Sequence, residues 1–125
     1  MVSLDIKATT SSPAVSFEPD KKVLRICGES YPENSFDFYD PVISWIKTTL
    51  KDLPQFTLDI SITYMNSSST KCTLDILDMM EEASGRGVKV GVIWRYDREN
   101  PRSYEMAEDF REEVSFPFEI EELDA

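Results

Sequence analysis

Residues 56–64, FTLDISITY, alternate strictly: Phe56, Leu58, Ile60, Ile62 and Tyr64 fall on one side, and Thr57, Asp59, Ser61 and Thr63 on the other. That period of two predicts a β-strand with one dry and one wet face. Met65 and the polar run Asn66-Ser67-Ser68-Ser69-Thr70 follow at once, and the period then changes. Cys72, Ile76, Met79, Met80 and Ala83, with Leu77, fall at helical spacing, and Gly85-Arg86-Gly87 supplies a stop. An ideal strand running straight into an amphipathic helix is the first half of a β-α-β unit.

Working outward, Val88, Val90, Val92 and Trp94 alternate with Lys89, Gly91 and Arg95, completing that unit. Asn100-Pro101 then reads as a cap followed by a first-turn proline, opening a helix through Tyr104, Ala107, Phe110 and Val114. Phe118 and Ile120 suggest a last short strand. Upstream, Val42, Trp45, Ile46, Leu50 and Leu53 mark a helix over residues 40–53, with Asp37 or Asp40 as its cap and Pro54 as its end. Ala14–Glu18 and Val23–Cys27, joined across Pro19-Asp20-Lys21, form an antiparallel hairpin closed by Gly28. Residues 1–12, rich in Ser and Thr, read as a loose arm ahead of one domain spanning residues 1–125.

Strands separated by helices imply right-handed parallel crossovers, so the fold class is α/β with a mixed, mostly parallel sheet. Four polar side chains on one face of residues 56–64 cannot all be buried without partners, which places the helices mainly on one face. The loops that leave the parallel strands, at 28–35, 66–70 and 97–100, then share one rim.

Composition narrows the function. The 125 residues include 13 Lys and Arg against 24 Asp and Glu, a formal charge of −11 that disfavours nucleic acid and anionic membrane surfaces. There is no histidine, which removes Ser-His-Asp and Cys-His nucleophiles and histidine metal sites. No metal and no cofactor is assigned, because scattered helix-face carboxylates such as Glu81, Glu82, Glu105, Glu108 and Asp109 define no pocket. Cys27 and Cys72 read as core thiols of a reduced, cytoplasmic protein, with neither a signal peptide nor a membrane span.

Two rim segments remain. In Asn66-Ser67-Ser68-Ser69-Thr70 four hydroxyls follow one another, and helix capping needs one hydroxyl and not four, so the surplus favours a second role. A phosphoryl group there would meet the positive end of the helix dipole, a stabilisation of ~0.3–1 kcal/mol. Gly28-Glu29-Ser30-Tyr31-Pro32-Glu33-Asn34-Ser35 reads by itself as a rigid connector whose Asn and Ser cap the next helix.

GESYPENS at 28–35, YMNSSSTKCTLDILDMMEEASGRG at 64–87, WRYD at 94–97 and FREEVSFPFEI at 110–120 together resemble the SiaC-type regulatory phosphoproteins, whose fold is similar to STAS domains and anti-sigma factor antagonists. The resemblance implies a switch protein without catalytic activity. A hydroxyl after the strand-ending asparagine is phosphorylated by a dedicated kinase and released by a PP2C-type phosphatase. It maps onto Ser67, with Ser68 as the fallback register. The unphosphorylated form binds and activates a partner such as a diguanylate cyclase, raising cyclic-di-GMP and promoting biofilm growth. Tyr31, Pro32, Glu33 and Asn34, with Asn66, Ser68 and Ser69, are then the expected docking surface. Two rivals stand beside this reading. One is an anti-sigma factor antagonist governed by the same switch. The other, from a different class, is a small enzyme using Asp97 with the hydroxyls of residues 67–70, which no base, lysine or glycine-rich phosphate loop supports.

Overall fold

A computed structural model describes residues 4–123. Its elements run β1 (Asp5–Ile6), β2 (Ala14–Glu18), β3 (Val23–Ser30), α1 (Ser35–Thr49), β4 (Gln55–Met65), α2 (Ser67–Gly85), β5 (Lys89–Tyr96), α3 (Pro101–Glu112) and β6 (Phe118–Glu122). The six strands form one sheet in chain order, antiparallel from β1 to β3 and parallel from β3 to β6. Three successive crossovers step in one direction across the sheet. Parallel crossovers are right-handed as a rule, and three that step the same way deliver α1, α2 and α3 to one and the same face, in keeping with the alternation of residues 56–62.

In-register parallel pairs carry that face across the sheet: Leu24 beside Leu58 beside Val92, and Ile26 beside Ile60 beside Trp94. All six are buried, under Ile46 of α1, Ile76, Leu77 and Met80 of α2, and Ala107 and Phe110 of α3. Trp94 and Phe110 pack with ring centroids 5.6 Å apart. The opposite face is open. Thr57 and Ser61 are half-buried and Thr63 is exposed. Asp59 is the sequestered member of that row, and Arg95 Nε lies 3.3 Å from both its carboxylate oxygens while Nη1 reaches Glu121 at 3.2 Å.

Several expectations are corrected. The arm assigned to residues 1–12 is ordered from Leu4 onward: Asp5 and Ile6 pair with Ser16 and Val15, and Thr9 and Ser12 close a turn through their hydroxyls. Residues 1–3 lie outside the described residues. A two-residue edge strand has no periodicity to read, so only its pairing reveals it. Helix α1 starts at Ser35, capped by Asn34, and accommodates Pro41 inside it; the cap therefore lies upstream of Asp37 and Asp40, and the helix stops at Thr49. Gly28 does not close the hairpin. It stands within β3 at φ +126°, beside a register shift in which Gly28 pairs with Ile62 and Glu29 with Tyr64. The shift leaves Thr63 as an extra residue and reverses the phase of β4, so Met65 is buried and Tyr64 turns out to solvent.

Cys27 is exposed, on the Val23-Arg25 side of β3, whereas Cys72 is buried, and its thiol pKa is raised by burial first and by the charge of Asp75 second. Glu81 is more than a solvated helix residue. Its carboxylate accepts the Ser115 N–H at 2.7 Å and the Ser115 hydroxyl, and these bonds lower its pKa. Gly85-Arg86-Gly87 does end α2: Gly87 N–H donates to Ser84 O and Val88 N–H to Ala83 O, with Gly87 at φ +98°.

Candidate functional site

The site is built where β3, β4 and the N-termini of α1 and α2 meet. Asn66, extended at φ −79° and ψ 172°, caps α2 by accepting the Ser69 N–H at 2.9 Å, so Ser67, Ser68 and Ser69 are the first three helical residues. Each hydroxyl of the run has a different fate. Ser69 is fully buried; its Oγ accepts from Ser30 at 2.8 Å and lies 2.9 Å from Ser35 Oγ. Thr70 donates back to Asn66 O at 3.0 Å. Ser68, half-buried, donates to Ser35 Oγ at 2.8 Å, with Asn66 Oδ1 at 3.3 Å. Ser67 is exposed, and its hydroxyl meets no hydrogen-bonding partner among the described residues.

The network extends inward. Ser30 Oγ lies 2.6 Å from the hydroxyl of Tyr39, which is 1% exposed and whose pKa burial pushes up to about 12 against the opposing hydrogen bond from Ser30. Ser35 also reaches Asn66 Oδ1 at 3.2 Å. A consistent set of protons runs from Tyr39 to Ser30, to Ser69, to Ser35, and ends on the amide oxygen of Asn66, with Ser68 joining at Ser35. Four of these members, Ser30, Ser35, Tyr39 and Ser69, come from three elements; three of them lie in the two rim segments, but no local pattern shows that they bond to one another.

Around Ser67 the surface is aromatic. Tyr31 and Tyr64, 39% and 46% exposed, meet edge to face at 5.7 Å. Phe36, 52% exposed, lies under the Lys71 ammonium at 6.0 Å from the ring centroid. Exposure of three large aromatics on one rim is what a docking surface needs. Tyr64 and Phe36 were missed in sequence, Tyr64 because the register shift inverts its side. Of the expected surface residues, Tyr31, Glu33 and Asn34 are exposed and Pro32, Asn66 and Ser68 half-buried. Asn34 also caps α1, accepting from Asp37 N–H at 3.1 Å. Ser69 is not a surface residue: its hydroxyl lies within the core network and offers nothing to a partner. Asp97 serves its own turn, accepting the Glu99 N–H at 2.9 Å, and no hydrogen bond among the described residues joins it to the hydroxyl run.

Residues 6–123 match the model of the SiaC family regulatory phosphoproteins. An uncharacterised protein of Pseudomonas aeruginosa strain UCBPP-PA14 is 43% identical over 125 residues, covering 99% of both chains. The crystal structure of apo-SiaC from P. aeruginosa superposes with a TM-score of 0.91 at 43% identity, covering 97% of this chain and 99% of that one. So does SiaC in the crystal structure of the P. aeruginosa diguanylate cyclase SiaD in complex with its activator SiaC, with a TM-score of 0.91, 43% identity and coverage of 96% and 99%. The chain belongs to the SiaC family of regulatory phosphoproteins.

Proposed function

We propose that this protein is a non-catalytic cytoplasmic adaptor whose bare form binds and activates a diguanylate cyclase, and that phosphorylation of Ser67 switches the association off. The observation that carries the assignment of Ser67 is the division of labour within the hydroxyl run. Ser68, Ser69 and Thr70 are engaged by Ser35, Ser30 and Asn66, and the Ser67 hydroxyl alone stands exposed and unengaged. A kinase and a PP2C-type phosphatase are the opposing partners this reading requires. The activation of SiaD by the 43% identical SiaC supports the choice of target.

The chemistry of the switch is electrostatic. A phosphoserine adds about −1.5 to −2 charges and three acceptor oxygens to a chain already at −11. A partner packed over the first turn of α2 and the Tyr31, Tyr64 and Phe36 rings would have to desolvate that dianion, a cost of several kcal/mol unless it supplies arginines. Each ~1.4 kcal/mol is tenfold in affinity, so the modification acts on binding while the fold persists.

The test is phosphosite mapping by mass spectrometry, combined with cyclase activation and affinity for bare and phosphorylated protein. Ser67→Ala is expected to fold, escape modification and still activate. Ser67→Asp is expected to fold and bind more weakly, short of the full effect because one carboxylate carries less charge than a phosphate. Equal affinity of the two forms overturns the switch, since a modification without differential affinity shifts no equilibrium. Capture of an anti-sigma kinase by the bare form, with no cyclase, replaces the target and leaves the switch.

A further inference from the structure

Ser67 and Ser68 are adjacent serines at the mouth of one helix, and a kinase that reaches one has the other within a residue's reach. Phosphoryl transfer requires the acceptor oxygen to attack the γ-phosphorus of a nucleoside triphosphate. The bond to the β-phosphate oxygen breaks, the nucleoside diphosphate leaves, and the hydroxyl proton passes to a base on the kinase. An acceptor must therefore present its oxygen outward and release its proton outward.

We infer that Ser35, on the neighbouring helix α1, sets the register of phosphorylation by withholding Ser68 from the kinase; this rests on the reading of Ser67 as the phosphoacceptor. Ser68 directs its proton inward, onto Ser35 Oγ at 2.8 Å, with Asn66 Oδ1 at 3.3 Å as the second acceptor. Ser35 is itself 1% exposed and held on every side: it lies 2.9 Å from Ser69 Oγ and donates to Asn66 Oδ1 at 3.2 Å. With one proton donated and two hydroxyls accepted, its hydrogen-bonding capacity is full, so it does not rotate away to release Ser68. Ser35 is thus a positioning residue: it touches no nucleotide, and acts through the hydroxyl it retains. The Ser67 oxygen, one residue earlier, carries no such tether.

The experiment maps phosphate on Ser67 and Ser68 by tandem mass spectrometry after incubating the full chain with labelled ATP and a lysate of the cells that encode it. Wild type is expected to carry phosphate on Ser67. Ser35→Ala is expected to raise the Ser68 share by roughly two- to tenfold, the range set by loss of one ordinary hydrogen bond. Ser35→Cys, which fills the same space with a weak acceptor, moves the share in the same direction and covers the case in which the alanine variant fails to fold. Ser30→Ala removes a hydroxyl from the same network without touching the partner of Ser68, so it leaves the register unchanged; a shift there equal to that of Ser35→Ala means general loosening and overturns the inference. Ser67→Ala takes almost no phosphate, whereas Ser67→Ala combined with Ser35→Ala regains it on Ser68. Modification of Ser67→Ala at Ser68 to the wild-type extent overturns the inference while the phosphoswitch stands. A wild-type chain that takes no phosphate on this run removes both.

Discussion

Helices α2 and α3 begin with the same device and differ at the two positions inside it, Ser67-Ser68 against Pro101-Arg102. Each is capped by an asparagine whose side chain accepts the N–H of a serine three positions on: Asn66 from Ser69 at 2.9 Å, Asn100 from Ser103 at 3.3 Å. Each of those serines is buried and stitched into the core. Ser103 accepts from Trp94 Nε1 at 3.0 Å and donates to Ile62 O at 2.9 Å, while Ser69 joins Ser30 and Ser35. The first helical position separates them: Ser67 in α2, Pro101 in α3. Proline there needs no hydrogen-bond partner and offers no nucleophile. The shared parts build a helix entrance, and the proposed switch sits at the position whose hydroxyl the fold leaves free.

The shared parts should break first. Ser103→Ala strands the indole N–H of a fully buried Trp94, a loss of about 1–3 kcal/mol. Ser69→Ala should cost less, because Ser30 and Ser35 retain Tyr39 and Asn66 as partners. Urea midpoints rank the two variants, and the reverse order would mean that the α2 network, not the α3 tie, anchors the rim.

The alkaline limb of stability reports on the α2 network through Tyr39, with a second contribution from the buried thiol of Cys72, whose pKa is also raised. Burial holds Tyr39 neutral, raising its pKa from 10 to about 12. A raised folded value means its contribution is intact below pH 10 and lost as pH climbs from 10 through 12, because the unfolded chain ionises first. Tyr39→Phe should flatten the part of that limb between pH 10 and about 12, and in wild type one of the five tyrosines should develop phenolate absorbance last. A variant that keeps the full alkaline loss places its origin elsewhere.

The caps come next. Asn100→Ala should lower stability by about 1 kcal/mol, the usual worth of such a cap, although Asn100 also ties its Nδ2 to Thr63 O at 2.8 Å. Asn66→Ala should cost more, since Asn66 Oδ1 also accepts from Ser35 and Ser68. Thermal unfolding of both variants decides it.

What could be read from the chain follows the range of the interactions. The alternation of Phe56 through Ile62, the helical stripe at Cys72, Ile76 and Met80, and the Asn100-Pro101 start are local patterns, and each stands where periodicity places it. Cys27, expected as a core thiol, is exposed, although a local signal for this was there: it shares the phase of Arg25 and not of Leu24 and Ile26. Tyr64 was not legible: its side depends on a register shift opposite Gly28, in a strand more than thirty residues away. The same holds for Ser35, whose meaning lies in a contact with Ser68 across 33 positions, and for the ordered segment before Pro13, which is visible only through its pairing with β2. The hydroxyl run announced that something exceeded capping, but which hydroxyl was spare depended on partners supplied by α1 and β3.

The smallest expected change in stability is the most informative about function. Ser67→Pro turns the start of α2 into that of α3, Asn-Pro in place of Asn-Ser. Asn66 already holds ψ 172°, the extended conformation that a residue before proline requires, and the first helical position tolerates a missing N–H. Because proline also restricts the unfolded chain, stability should stay level or rise by up to about 1 kcal/mol. The variant keeps the cap, the buried Ser69 and the aromatic rim, and loses only the free hydroxyl. It should therefore unfold like wild type, activate the cyclase like the bare protein, and stay active in the presence of ATP and cell lysate, where the proposed switch would silence wild type. If Ser67→Pro folds as well as wild type but no longer binds, the first turn of α2 contributes contacts that proline obstructs, and the free position is part of the docking surface as well as its switch. If it folds, binds and is still silenced, the controlling phosphate lies elsewhere on the chain.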